Sequence, residues 1–141
     1  MSAPPPGETD LPTLLSTMTF TLSPTTYVYL TTTSPTPALL SKLDPILTFR
    51  EAEGTTLITT LDLATAHGHE HTYACRMITL EIHSSLAAVG FMAAIAKGLG
   101  ERGCSANVVS GYFHDHVFVP EGMEGVAMEV LGGLREGAKG R

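Results

Sequence analysis

The chain has 141 residues, of which 43% are hydrophobic and 16% charged, and a formal net charge of −6 at pH 7. This balance is typical of a globular protein, and the length allows one domain or two small ones that share a core. The acidic charge, without any run of Lys or Arg, argues against nucleic acid and membrane surfaces as partners. No secretory leader and no apolar run of about 18 residues are visible, so we expect a soluble, cytoplasmic protein with reduced cysteines.

The first half of the chain predicts two short helices around a strand, then a hairpin and a third helix. Residues 1–8 are proline-rich and are expected to be disordered. Thr9 or Asp10 can cap the first helix, because leucines recur at helical spacing directly after them. Gly54 fits the turn of the hairpin. The predicted elements are a helix over 11–18, a strand over 26–33, a short helix within 34–45, strands over 46–50 and 56–60, and a helix over 62–66.

The second half predicts three quarters of a βαββαβ unit. Its elements are a strand over 72–83, a helix over 86–99, strands over 106–113 and 116–119, and a helix over 123–134. The residues after the last helix are too few and too polar to form a fourth strand, so another segment must complete this sheet.

The two halves have a similar order of elements. We therefore predict an α+β protein with two ferredoxin-like halves, residues 9–71 and 72–137, followed by a flexible tail over 138–141. The halves are expected to be intertwined, so that N-terminal residues before Ile46 complete the antiparallel sheet of the C-terminal half.

Ser84 and Ser85 lie where the predicted strand ends and the predicted helix begins. A serine hydroxyl at this position caps a helix by accepting a hydrogen bond from one of its free N–H groups. The exposed amides after Leu86 also make a site for a carboxylate, and Gly90 lets a ligand approach the helix closely. These residues leave both interpretations open, capping alone and capping with ligand binding.

The segment His114-Asp115-His116 forms the predicted tip of the second hairpin. An Asp between two His can orient an imidazole or bind a divalent metal, whereas an Asp in a tight turn is ordinary turn chemistry. We expect a ferredoxin-like order to place this tip at the opposite end of its sheet from Ser84. A structural or interface role is therefore favoured over a catalytic or metal-binding one.

The alternating histidines His67, His69 and His71 form a second cluster, in the loop before the long strand. Such a tract can hold zinc or nickel when it is extended. Loops between elements are usually solvated, so we interpret this tract as a polar surface segment.

Arg50, Glu51 and Glu53 surround the turn of the first hairpin. A solvated turn with a surface ion pair explains them. Alternatively, Arg50 recognises a substrate carboxylate, or the two glutamates recognise an ammonium group. The sequence does not rank these alternatives.

The motifs of common enzyme classes are absent. The sequence contains no GxSxG, HExxH or GxxxxGK[ST], so nothing indicates a nucleophile elbow, a zinc protease or a P-loop. We therefore expect no catalytic residues, no cofactor and no resident metal.

Two blocks of the sequence resemble a known family. Residues 78–90 (ITLEIHSSLAAVG) and 110–120 (SGYFHDHVFVP) are similar to the small bacterial and fungal proteins that are built from tandem ACT-like domains. Residues 7–11, 27–29 and 49–54 agree with this family in matching order. The resemblance covers most of the chain, and ACT domains are ferredoxin-like modules.

The resemblance implies a non-enzymatic regulatory protein that binds a small molecule, often an amino acid, between its two halves. The ligand site of the family maps here to Ser84, Ser85, Leu86, Val89 and Gly90. Arg50, Glu51 or Glu53 is expected to complete it. The alternatives are a structural module that self-associates as a homodimer through its sheet, and a metal-dependent enzyme that uses His114, Asp115 and His116.

Overall fold

The computed structural model describes residues 7–82 and 84–140 of the chain. Most of the segment 1–8 that was predicted to be disordered lies outside the described residues. The elements in chain order are α1 (Leu11–Thr17), β1 (Phe20–Thr32), α2 (Pro37–Leu43), β2 (Leu47–Arg50), β3 (Thr55–Thr60), α3 (Leu61–Ala66), β4 (Thr72–Leu80), α4 (Phe91–Glu101), β5 (Asn107–Ser110), β6 (Asp115–Pro120) and α5 (Glu124–Lys139). No helix among the described residues is long and apolar enough to cross a membrane.

The six strands follow the order β2-β3-β1-β4-β6-β5. β3 pairs antiparallel with both β1 and β2, and β6 pairs antiparallel with β5. Contacts divide the chain into two compact units. We call the described residues of Met1–Ser23 and Met77–Arg141 the larger unit, and Pro24–Arg76 the smaller unit.

The N-terminal residues supply the strand that the second half lacks, which confirms the predicted α+β fold with its intertwined ferredoxin-like halves. β1 is the neighbour of β4, and its first residues, up to Ser23, belong to the larger unit. The Thr21 hydroxyl donates a hydrogen bond to the Glu81 carboxylate, and the Glu81 amide donates to the Thr19 carbonyl at 2.7 Å. β1 therefore serves as the fourth strand of the βαββαβ order that begins with β4.

The larger unit has one apolar core between its helices and one sheet face. α1 begins after Asp10, whose carboxylate accepts a hydrogen bond from the Thr13 amide and so caps the helix. Alternate residues of β4 and β6 face the helices, as the two-residue period of a strand requires. The residues of this core that are fully excluded from solvent are Leu14, Met18, Ile78, Leu80, Ile95, Leu99, Val117, Val119, Ala127 and Leu131.

The smaller unit packs its own core under α2 and α3. Leu30 of β1 lies opposite Leu57 of β3, and both side chains meet Leu43 of α2. The buried Thr59 hydroxyl donates a hydrogen bond to the Leu43 carbonyl, so the polar group is satisfied inside this core. The strands and helices of this unit lie within one or two residues of their predicted bounds, except that β1 begins earlier, at Phe20.

The helix predicted over 86–99 was placed wrongly at its start. α4 begins at Phe91 after an N-cap at Gly90, and the residues between β4 and α4 form an irregular loop. Leu86 and Val89 fit the apolar period of the helix in the sequence, yet they are 68% and 83% exposed in this loop. At the other end of the chain α5 continues to Lys139, because Ala138 is buried in the core.

Candidate functional site

The loop after β4 brings Ser84 onto Asp115 at the start of β6. Ser84 is 7% exposed and Asp115 is 6% exposed, and the Ser84 Oγ donates a hydrogen bond to Asp115 Oδ2 over 2.8 Å. Ser84 also forms a parallel bridge with Glu8, and the Ser85 amide donates to the Glu8 carbonyl at 2.8 Å. Glu8 of the N-terminal segment thus fixes the position of the loop, and Ser84 of the loop hydrogen-bonds the buried Asp115 carboxylate.

The expectation that the His-Asp-His tip lies at the opposite end of the sheet from Ser84 was wrong. Ser84 contacts Asp115, and Thr79 Oγ1 lies 2.9 Å from His116 Nδ1. The reason is topological. After β4, helix α4 returns the chain to the starting end of the sheet, and β5 carries it back, so the tip between β5 and β6 lies where β4 ends.

The start of α4 presents unused backbone donors. Its first helical hydrogen bond joins the Ala94 amide to the Gly90 carbonyl, and no side chain of the described residues caps the helix. The amides of Phe91, Met92 and Ala93 therefore have no acceptor within the helix. Together with the helix dipole, these three N–H groups favour a negatively charged group at this position.

A cavity of about 160 Å³ lies between the helix start and the buried carboxylate. The first turn of α4 lines it together with the polar residues Ser84, Ser110 and Asp115. All of its lining residues belong to the larger unit. They are Ser84, Ser85, Leu86, Ala88, Gly90, Phe91, Met92, Ala93, Ser110 and Asp115.

The two serines do not cap a helix, contrary to the sequence interpretation. Ser84 bonds to Asp115, while the Ser85 Oγ accepts a hydrogen bond from the Ala87 amide at 3.1 Å in a local turn. Of the other residues of the predicted ligand site, Leu86 and Gly90 line the cavity and Val89 does not.

The histidines beside Asp115 are held in a partly buried environment. Burial lowers the pKa of His116, the nearby His114 lowers it further, and Asp115 opposes both effects. His114 Nδ1 is buried and has no hydrogen-bond partner among the described residues. No group of three His, Cys, Asp or Glu side chains in the described part of the chain could hold a metal ion.

The histidine tract of the earlier loop is engaged with its own backbone. His69 Nδ1 lies 2.8 Å from the Glu70 carbonyl, and His71 Nδ1 lies 2.9 Å from the His69 carbonyl. His67 and His71 are exposed.

Arg50, Glu51 and Glu53 line a depression of the smaller unit, next to the turn between β2 and β3. The Glu51 carboxylate accepts a hydrogen bond of 2.6 Å from the Thr56 hydroxyl. None of the three residues lines the cavity at the start of α4. Their assignment to the ligand site stays a prediction.

Sequence reasoning separated Asp115 from the serine loop, and it missed five lining residues of the cavity: Ala88, Phe91, Met92, Ala93 and Ser110. The order of elements could have predicted Asp115 and Ser110. In a βαββ order, the residues that flank the β5–β6 turn lie where β4 ends. Met92 and Ala93 were assigned to the middle of a helix because the helix start was placed too early.

Comparisons with known proteins agree with this fold. The family model of the ACT domain matches residues 6–76, and a second ACT-domain model matches residues 72–132. No curated protein matches the chain.

Solved structures also resemble the chain. A Vibrio cholerae protein of unknown function, described as a possible transport protein, is 40% identical, with a TM-score of 0.80, and the match covers 89% of this chain and 95% of that one. A protein from Agrobacterium tumefaciens is 13% identical, with a TM-score of 0.69, over 84% and 89% of the two chains. The regulatory subunit of aspartate kinase from Thermus thermophilus is 10% identical, with a TM-score of 0.59, over 85% and 98%.

The two domain matches lie in tandem and together span residues 6–132. They confirm the resemblance that the serine and His-Asp-His blocks indicated. With its two ferredoxin-like halves, this chain belongs to the ACT-domain family.

Proposed function

We propose that the chain is a ligand-sensing regulatory protein that binds a free amino acid in the cavity at the start of α4. The observation that carries the proposal is that one small cavity is lined both by the first turn of α4 and by the buried Asp115. The first-turn amides of α4 favour a carboxylate, and the carboxylate of Asp115 favours an ammonium group. An α-amino acid carries both groups on one carbon.

The burial of Asp115 supports this assignment. Taking a carboxylate out of water is costly unless it is hydrogen-bonded or paired with a positive charge. Ser84 donates one hydrogen bond, and an ionised carboxylate can accept about four. An ammonium group in the cavity would use part of the remaining capacity and would supply the missing charge.

The size of the cavity also agrees with a small metabolite. An engineered protein cavity of about 150 Å³ accepts a six-membered aromatic ring, and this cavity measures about 160 Å³. The volume is therefore sufficient for a compact amino acid.

The regulatory part of the proposal rests on the family. ACT domains are regulatory modules, and the structural relatives include regulatory subunits of aspartate kinase. In this view the bound amino acid stabilises one state of the chain, and that state acts on a separate protein. Because ACT domains are regulatory modules, we also propose that the chain itself is not an enzyme.

The experiment is a thermal-shift and calorimetric screen of the twenty amino acids on protein that has been unfolded, dialysed and refolded to remove any copurified ligand. At a concentration of about 100 times its dissociation constant, a ligand should stabilise the protein by about 2.7 kcal/mol. We expect Asp115→Asn, which keeps an acceptor for Ser84, to weaken binding at least about tenfold. Asp62→Asn, on the exposed start of α3, is the matched control. If no amino acid stabilises the wild-type protein, the proposal is wrong.

A further inference from the structure

A second and larger cavity, with a volume of about 520 Å³, lies in the smaller unit. Pockets that bind small molecules commonly measure about 300–1,000 Å³. Residues of helix α2 and the loop before it, of the edge strand β2 and of the start of β3 line this cavity. They are Pro35, Leu40, Thr48, Phe49, Arg50 and Thr55.

Three polar side chains of this cavity are neighbours in the sheet. Thr48 and Arg50 are alternate residues of β2 and therefore point to the same face. Thr55 lies directly opposite Arg50 in the register between β2 and β3, and the side chains of cross-strand partners lie next to each other on one face. A guanidinium and two hydroxyl groups are thus placed to donate hydrogen bonds to one ligand group.

The Arg50 guanidinium has no acceptor of its own. None of the hydrogen bonds and ion pairs among the described residues involves it, whereas Arg102 lies 3.3 Å from the Glu129 carboxylate. The neighbouring Glu51 carboxylate accepts a hydrogen bond from Thr56, which points to the other face of the sheet from the cavity. The cavity therefore contains an unpaired cation with no carboxylate in its lining.

The remaining lining residues are apolar. Leu40 is partly buried against the core of the smaller unit, and Pro35 lies at the turn before α2. The Phe49 side chain is 64% exposed, so its ring would lose contact with water when an apolar group packs against it. An arginine guanidinium is weakly hydrated, which makes it suited to an ion pair beside apolar groups.

We propose that the smaller unit binds a small carboxylate with an apolar body in this cavity. Arg50 holds the carboxylate through two parallel N–H···O bonds, and the hydroxyls of Thr48 and Thr55 donate to it from the same face. The apolar body packs against the three apolar lining residues. This site lies in the other unit from the cavity at the start of α4, and it does not depend on the function proposed for that cavity.

The first test is calorimetry of the full chain with 3-phenylpropanoate, 3-phenylpropanol and 3-phenylpropylammonium. The three probes share one apolar body and differ only in the head group. We expect the acid to bind at least about tenfold more tightly than the alcohol or the amine, because only the acid can pair with Arg50. Binding of the acid that is no tighter than that of the other two, or no binding of the acid, would overturn the proposal.

The second test removes the cation. Arg50→Gln keeps a polar side chain at an exposed position, so we expect the variant to fold, to bind the acid at least about tenfold more weakly and to bind the alcohol as before. Lys42→Gln is the matched control, because Lys42 is an exposed cation of α2 that does not line the cavity. If both variants weaken the acid equally, the surface field attracts the probe and the assignment of Arg50 is wrong.

Asp115→Asn separates this site from the cavity at the start of α4. Asp115 belongs to the larger unit, so 3-phenylpropanoate should bind to this variant as it does to the wild type. If Asp115→Asn weakens the acid as much as Arg50→Gln does, the probe occupies the cavity at α4 and the proposal is wrong. Failure of every amino acid to bind would overturn the function proposed above and leave the Arg50 site standing.

Discussion

Ser84, Asp115 and His116 meet where β4 ends and β6 begins. Asp115 is satisfied in part by Ser84, and His116 shares a hydrogen bond with Thr79. Partial burial of the His116 ring disfavours its charged form and lowers its pKa, since the ionised imidazole would lose hydration. The protonation of His116 is thus coupled to the folding stability of the larger unit.

A substitution of His116 should change how stability depends on pH. Because its folded-state pKa lies below the unfolded value of 6.5, the unfolded state takes up the proton first as the pH falls. The His116 contribution is therefore complete above pH 6.5 and is lost as the pH falls towards the folded-state pKa. We expect His116→Asn to reduce the loss of unfolding free energy between about pH 7 and 5, measured by urea denaturation.

The exposed His71 provides the control for this measurement. His71→Asn removes an exposed imidazole from the loop before β4 and so tests for a general effect of losing a histidine. A pH profile of His116→Asn that coincides with that of the wild type would contradict the role of burial at His116.

At the scale of elements, the position at which α4 begins determines the shape of the cavity. Gly90 has φ = 89°, a left-handed conformation that glycine adopts without strain, and it turns the loop into the helix whose first-turn residues line the cavity. A residue with a Cβ would disfavour this turn. The cavity therefore depends on one backbone conformation as well as on its side chains.

Alanine substitutions at two glycines of the same segment distinguish two effects on stability, which are backbone strain and helix propensity. Gly90→Ala should destabilise the protein by about 1–2 kcal/mol, because alanine is strained at this φ, although its Cβ would meet Leu11 only at an ordinary 3.4 Å. Gly100→Ala lies within α4, where an added Cβ has open space, so we expect a gain of about 0.5–1 kcal/mol.

Urea denaturation and amino-acid calorimetry check both variants. Gly90→Ala should also weaken binding, because the first-turn amides change direction, whereas Gly100→Ala should bind as the wild type does. Equal destabilisation by the two substitutions would show that the left-handed turn does not carry the effect.

At the scale of the whole molecule, the larger unit is assembled from both ends of the chain. Its core contains Leu14 and Met18 of the N-terminal region, both fully buried, beside α4 and α5. The first residues of β1 complete the sheet next to β4. Residues distant in sequence must therefore meet before this unit is stable.

A fragment that starts at Met77 should not fold alone. It lacks α1, the start of β1 and the Glu8 contacts of the serine loop, so an unpaired strand edge and part of the core would face water. We expect no cooperative unfolding transition for residues 77–141 by circular dichroism. In the full chain, Met18→Ala should cost about 2–5 kcal/mol through the cavity that it leaves. A cooperative transition in the fragment would contradict the assembly from both ends.

The sequence by itself determined the order of elements, the ferredoxin-like halves and the need for an N-terminal strand. These features follow from local periodicity, turn residues and the count of strands, all of which are encoded by near neighbours. It indicated Gly90 only as a point where a ligand can approach a helix closely, and not as the left-handed residue before α4.

Only the tertiary structure decided which residues share the cavity. Leu86 and Val89 have the spacing of a helix, yet the loop exposes them, because the Glu8 contacts and the left-handed Gly90 outweigh local propensity. Ser84 and Asp115 are 31 positions apart and meet because β4 ends at the tip from which β6 begins. Contacts of this kind depend on how strands are arranged in space, and local sequence patterns do not carry that information.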